Sequence, residues 1–192
     1  SLTVNSGAAN TSFASTVGAT NALSSLSVTS STAIILTSNV TTAGAQTYTG
    51  PVTLSGAVTL NSNSATANGA IAFTSTINNT TSTARALTIT SGSGNVTFGG
   101  VIGGGAYAGL SSLEITSTGT TAINGGAVTT VGVQTYGAAV TLGANTTLTT
   151  TNSAVGFSST VNSVSTTPYS LTVNSGAANT SFASTVGCLL YT

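Results

Sequence analysis

Apolar and polar residues alternate in short blocks along the whole chain. Leu2-Thr3-Val4, Leu26-Ser27-Val28, Val52-Thr53-Leu54, Val58-Thr59-Leu60, Leu87-Thr88-Ile89, Val96-Thr97-Phe98, Leu113-Glu114-Ile115 and Val140-Thr141-Leu142 all read apolar, polar, apolar. A period of two places alternate side chains on opposite faces of an extended chain, so each block predicts a short strand with one buried face. Asn5-Ser6-Gly7, Ser91-Gly92-Ser93-Gly94 and Gly103-Gly104-Gly105 punctuate the blocks with residues that accept the positive φ of turns. No segment has the period of a helix. The longest aliphatic run, Ala33-Ile34-Ile35-Leu36, is far shorter than the roughly 18–20 residues of a membrane-spanning helix.

The blocks recur in order. Leu2-Thr3-Val4 returns as Leu87-Thr88-Ile89 and Leu171-Thr172-Val173; Leu23-Ser24-Ser25-Leu26 returns as Leu110-Ser111-Ser112-Leu113; Gln46-Thr47-Tyr48 returns as Gln134-Thr135-Tyr136. Offsets drift between 84 and 88 residues, which places insertions in loops between strands. The units run 2–86 and 87–170, and a partial third starts at Leu171. Residues 1–18 and 170–187 are identical letter for letter, 169 positions apart. Identity of that length points to duplicated DNA within a longer repetitive protein, and the absence of Met places the natural start outside this chain. The last five residues, Cys188-Leu189-Leu190-Tyr191-Thr192, break the pattern. They are what TGTCTCTTATACACA encodes, a string similar to a transposon mosaic end used in sequencing libraries, so 188–192 read as adapter rather than protein. Residues 1–187 then form a single repeat segment.

A unit of about 84 residues divides into four turns of roughly 21: 2–22, 23–45, 46–68 and 69–86. The expected fold is therefore all-β, a right-handed parallel β-helix (β-solenoid) of about nine coils and roughly 40 Å length at ~4.8 Å per coil. Stacked Val, Ile, Leu, Phe and Ala would fill its core, with Asn10, Asn95 and Asn179 making local bonds at turns. Cut from its neighbours, such a segment leaves unpaired strand edges at each end and is expected to stack end to end or aggregate.

Composition narrows the function. One Arg, one Glu and no Lys, Asp or His stand in 192 residues. Nucleic acid is an unsuitable partner, because phosphate binding needs clustered Lys and Arg. A Ser or Thr nucleophile would lack a neighbouring base, glycoside hydrolysis would lack its second carboxylate, and zinc and calcium would lack ligands. The expectation is that the segment is not an enzyme and has no catalytic, cofactor-binding or metal residues. A polysaccharide lyase, which shares the β-helix, fails on the same grounds. The sole cysteine, Cys188, forms no disulfide framework.

Units of the form LTV-SG-N-F-G, LSSL-VTS, VTT-G-QTY-G-VTL and F-ST-N are similar to filamentous-haemagglutinin-type repeats of very large bacterial exoproteins, over about 1–187. The resemblance implies β-helical stalks exported through an outer-membrane β-barrel transporter by two-partner or autotransporter routes. They are adhesins or surface filaments, extracellular or on the outer cell surface. Partners would be neighbouring repeats and, through other domains, host-cell or matrix surfaces or glycans. With no Lys and one Arg, trypsin-like proteases find one target.

Few residues tempt a sharper reading. Glu114 matches Ser27 in the first unit and reads as a solvated strand residue; Arg85 matches Tyr169 and reads as a surface loop. Tyr48 and Tyr136 could present rings to sugars, but an amphipathic ring capping a turn is the preferred reading. The stretch from Gly99 to Gly109 lacks a phosphate-binding lysine and reads as a turn. An ice-binding Thr-rich solenoid is the alternative function. It needs an unbroken Thr column, whereas the predicted outward column runs Thr3, Ser27, Thr53, Ala72, Thr88, Glu114, Thr141, Gly156, Thr172.

Overall fold

A computed structural model describes residues 1–64, 68–107, 109–164 and 168–187. The chain winds as an all-β parallel solenoid with three faces and one short rung per face in each turn. The first turn carries β1 (Leu2–Asn5) and β2 (Thr11–Phe13) and closes at Val17. The second holds β3 (Leu26–Thr29), β4 (Ile34–Leu36) and β5 (Val40–Thr41); the third holds β6 (Gln46–Thr49), β7 (Val52–Leu54) and β8 (Val58–Asn61). In the fourth are β9 (Ile71–Phe73), β10 (Ile77–Asn79) and β11 (Ala86–Gly92). The fifth has β12 (Val96–Phe98), Ile102 and β13 (Ser112–Ser117). The sixth has β14 (Thr120–Ile123), β15 (Ala127–Thr129) and β16 (Gln134–Tyr136), and the seventh β17 (Ala139–Leu142), β18 (Thr146–Thr149) and β19 (Val155–Phe157). The last has β20 (Val161–Ser163), β21 (Leu171–Asn174) and β22 (Thr180–Phe182), after which Val186 returns to the first face beside Val161.

Among the described residues most strands alternate as the sequence predicts. In β4, β7, β9 and β12 the outer two residues are buried and the middle one is half-exposed. Every strand pair is parallel, so each rung sets its residues directly over those of the rung before. The first face stacks Val4, Val28, Tyr48, Phe73, Phe98, Ile123 and Leu142 in one inward column. Within it Tyr48, Phe73 and Phe98 lie ring on ring at 5.1 and 5.6 Å, both pairs 11° from parallel. On the third face Tyr136, Phe157 and Phe182 repeat the arrangement at 5.0 and 4.9 Å. Such stacks contribute about 0.5–1.5 kcal/mol per pair beyond their buried area. Corners are tight: Gly50, with φ of 125°, turns the chain from β6 to β7, and a Cβ there would lie 1.8 Å from the Ser30 carbonyl oxygen. Only glycine fits so close to a neighbouring backbone.

The turn count departs from expectation. The first face has eight strands, β1 to β20, spaced by seven turns, and Val186 beside Val161 closes one more, rather than about nine coils. Between register partners from Leu2 to Val161 these turns take 24, 20, 25, 25, 25, 19 and 21 residues. The reason lies in the unit itself. The first unit provides eleven rungs (β1, β2, Val17 and β3–β10) and the second provides eleven more (β11, β12, Ile102 and β13–β20). Eleven rungs at three per turn make three and two-thirds turns, where the sequence suggested four. Equivalent segments therefore slip by one face per unit. Leu2 pairs on the first face with Leu26, Leu87 on the third with Val58 and Leu113, and Leu171 on the second with Thr146. The stretch 188–192, read as adapter, lies outside the described residues.

This slip has a direct check. Thr88 stands beside Thr59, whereas four-turn units would set it beside Ala72, whose partners here are Thr47 and Thr97. Neighbouring parallel strands lie ~4.8 Å apart, within disulfide range. In a Cys188→Ser background, Thr59→Cys/Thr88→Cys should cross-link under mild oxidation, read by non-reducing electrophoresis and peptide mapping, and Ala72→Cys/Thr88→Cys should not. The reverse pattern would refute the eleven-rung unit.

Candidate functional site

Tyr48 and Tyr136 are the residues on which sequence reading and structure differ most. Neither caps a turn nor offers a ring to solvent: both are fully buried. Each phenol donates to the glutamine two residues earlier, Tyr48 Oη to Gln46 Oε1 at 2.8 Å and Tyr136 Oη to Gln134 Oε1 at 3.0 Å. Gln46 Nε2 in turn faces the carbonyls of Val40 and Asn61 and the hydroxyl of Thr42, at 3.3, 3.0 and 3.2 Å. Gln134 Nε2 faces Val128, Thr149 and Thr130 at the same three distances. Alternation puts residues i and i+2 of a strand on one side, so Gln and Tyr of QTY both point inward and satisfy each other. The recurrence of QTY was the available signal, and the part missed was that its glutamine is as buried as its tyrosine.

The two charged residues stand apart from any such network. Glu114 is exposed in the middle of β13, beside Thr88 and Thr135 on the third face. Arg85 is half-buried just before β11, and its Nε is buried without a hydrogen-bond partner. Its backbone is held by Asn79, whose Oδ1 accepts from the Arg85 N–H at 3.0 Å, and by Ser111, whose N–H donates to the Arg85 carbonyl at 2.9 Å. Ser163 holds the N–H of Tyr169 in the matching loop of the second unit at 2.8 Å. At the end of the glycine-rich stretch the Gly109 carbonyl accepts from Asn79 Nδ2 at 3.1 Å, and Tyr107 is 46% exposed.

Asn95 bonds across turns rather than locally: its Oδ1 accepts from the Thr120 N–H at 2.9 Å, a turn further on. Asn39 and Asn145 do the same for Thr59 and Ser170, at 2.8 and 3.0 Å. A shallow cleft of about 210 Å³ opens near the bulge of β11, lined by Asn63, Thr90, Gly92, Thr116, Ser117 and Thr118. It contains no ionisable side chain. Among the described residues no three His, Cys, Asp or Glu side chains come together.

The outward column expected from sequence is dispersed by the slip of the units. Thr3, Ser27, Ala72 and Thr141 fall on the first face, Thr53 and Thr172 on the second, and Thr88, Glu114 and Gly156 on the third. The first face instead presents Thr3, Ser27, Thr47, Ala72, Thr97, Ala122, Thr141 and Asn162. The third presents Thr59, Thr88, Glu114, Thr135, Gly156 and Ser181. Neither is an unbroken threonine array. Comparisons with protein-family models, with curated proteins and with solved structures returned no match.

Two outcomes follow from the buried Gln–Tyr pairs. Gln46→Leu strands the Tyr48 hydroxyl in the core and should cost about 1–3 kcal/mol in urea unfolding. Adding Tyr48→Phe removes the orphan and should recover much of the loss, so the double variant is more stable than Gln46→Leu alone. Burial also pushes both phenols well above their ordinary value. Raised values mean that the folded state keeps protons that the unfolded chain releases near pH 10, so this stability is intact below about pH 10 and declines above it. Alkaline unfolding followed at 295 nm should show Tyr48 and Tyr136 ionising with unfolding, and Tyr48→Phe/Tyr136→Phe should flatten the pH dependence.

Proposed function

We propose that this chain is a non-enzymatic structural segment of a large secreted or cell-surface bacterial exoprotein, serving as an adhesin stalk or filament. The observation that carries the reading is the eleven-rung unit. Successive units continue the same core whichever face they start on, so a longer array extends the rod without a special junction. A spacer needs that property; an active site, which needs one fixed constellation, does not.

Other features agree with this reading. Seven turns at ~4.8 Å give a rod of about 34 Å. Nearly all surface polarity comes from Ser, Thr, Asn and Gly rather than from charge. Slip between units turns any unit-encoded surface feature by one face each time, which suits a shaft more than a one-sided binding plane. Adhesion would then belong to other domains of the exoprotein, and export to an outer-membrane β-barrel transporter. An ice-binding role would require a flat threonine array, and the first and third faces are interrupted by Ala, Glu, Gly and Asn.

Antibody raised against the folded chain should label intact producing cells as strongly as lysed ones, and surface protease should remove the label. Label found only after lysis would overturn the assignment. Clear thermal hysteresis by the purified chain would do the same in favour of ice binding.

A further inference from the structure

The one arginine of the chain lies directly before β11, one residue from the boundary between the units 2–86 and 87–170. Upstream of it Thr81, Ser82 and Thr83 are exposed, whereas Arg85 itself is half-buried. Its backbone is held from two directions. The Arg85 N–H donates to Asn79 Oδ1 at 3.0 Å, and its carbonyl accepts from the N–H of Ser111, one turn further on, at 2.9 Å. Asn79 is buried and is anchored across the turns in its own right, because its Nδ2 donates to the Gly109 carbonyl at 3.1 Å. Downstream, Ala86 opens β11, which runs between β8 and β13. At the guanidinium, Nε is buried with no hydrogen-bond partner. The matching loop of the second unit places Tyr169 there, so the winding does not require a cation at this position.

We propose that the Arg85–Ala86 bond is a latent processing site for a trypsin-like endoprotease, closed while turns four and five are stacked and opened when they part. Such a protease draws a cationic side chain into its specificity pocket and takes its substrate as an extended strand with free backbone groups. In the stacked rod neither condition is met. The arginine side chain is half inside, its carbonyl is held by Ser111, and the strand that follows is paired along both edges. Local unwinding at this corner supplies both. Turn five favours it: among the described residues it alone, of the turns after the first, has no strand on the second face, where Ile102 makes single bridges to Ile77 and Val128. Segments with few ladder hydrogen bonds open at lower cost than the rest of a fold. Hydrolysis then breaks the bond between the Arg85 carbonyl carbon and the Ala86 nitrogen. Water supplies the hydroxyl of the new carboxyl group and the proton of the new amine.

The purified chain is incubated with trypsin and its products are identified by mass spectrometry, with circular dichroism reporting the fold. The folded chain should stay uncut, and in rising urea fragments 1–85 and 86–192 should appear before the global unfolding transition. Asn79→Ala removes the bond to the Arg85 N–H and the anchor to Gly109, and should speed this cleavage roughly tenfold or more. In Ser82→Arg/Arg85→Gln the sole arginine moves to the exposed part of the same loop, where it should be cut readily in the folded rod. Four results would overturn the proposal. They are rapid cutting of the folded parent chain at Arg85, cleavage that begins only with global unfolding, an Asn79→Ala chain as resistant as the parent, and a relocated arginine as resistant as Arg85.

Discussion

The structure depends on in-register parallel stacking. Each rung supplies hydrogen bonds to the rung before and the rung after, and the same registration sets every inward side chain on its equivalent one turn away. Leu, Val and Ile tolerate this because they pack on their own kind. Aromatic rings gain from it, since flat rings at about 5 Å stack face to face. Polar side chains survive inside only where the ladder gives them partners. Gln46 and Gln134 do so by facing backbone carbonyls of adjacent rungs as well as a tyrosine hydroxyl.

Seen this way, the aromatic stacks are joints between units. Tyr48 and Phe73 come from the first unit and Phe98 from the second; Tyr136 and Phe157 come from the second and Phe182 from the third. Each stack opens in one unit and closes in the next, so neighbouring units share their largest buried side chains. A repeat protein is stabilised by such interfaces as much as by its individual units. Here the interface is written into the sequence at fixed places, the QTY block, the F-ST-N block and the phenylalanine after LTV. The near-absence of charge follows from the same geometry. Like charges stacked every ~4.8 Å would repel along a whole column, whereas hydroxyls and amides do not. Asn95, Asn39 and Asn145 turn that polarity to use by tying each turn to the next.

Much of this was legible from residues alone. Alternation in Leu2-Thr3-Val4 and its relatives identified the strands, and the recurrence of blocks tipped the balance toward a parallel solenoid, in which like residues stack on like. The place of Glu114 as a solvated strand residue was readable from its replacement by Ser27, whereas Arg85, matched to Tyr169, lies in a loop but half-buried, with its Nε inside rather than on the surface. Less legible was the inward direction of QTY. A tyrosine with threonine and glutamine beside it has the composition of a surface, and only the alternation of the strand puts two of the three inside.

By itself the sequence determined local structure, since alternation, turn residues and repeats are encoded within a few neighbouring positions. It also determined that chemistry demanding acids, bases or metals had almost no residues to work with. The tertiary structure alone decided how many residues close a turn. That number depends on loops whose lengths vary from corner to corner, and periodicity in the sequence averages over them. Division of 84 by four looked natural, yet three faces and eleven rungs gave three and two-thirds turns. From that fraction come the rotation of equivalent strands around the rod, the dispersal of the threonines, and the different seats of two identical stretches of chain. Identical sequences adopt the same local strand wherever they lie. What lies above and below them is a property of the winding.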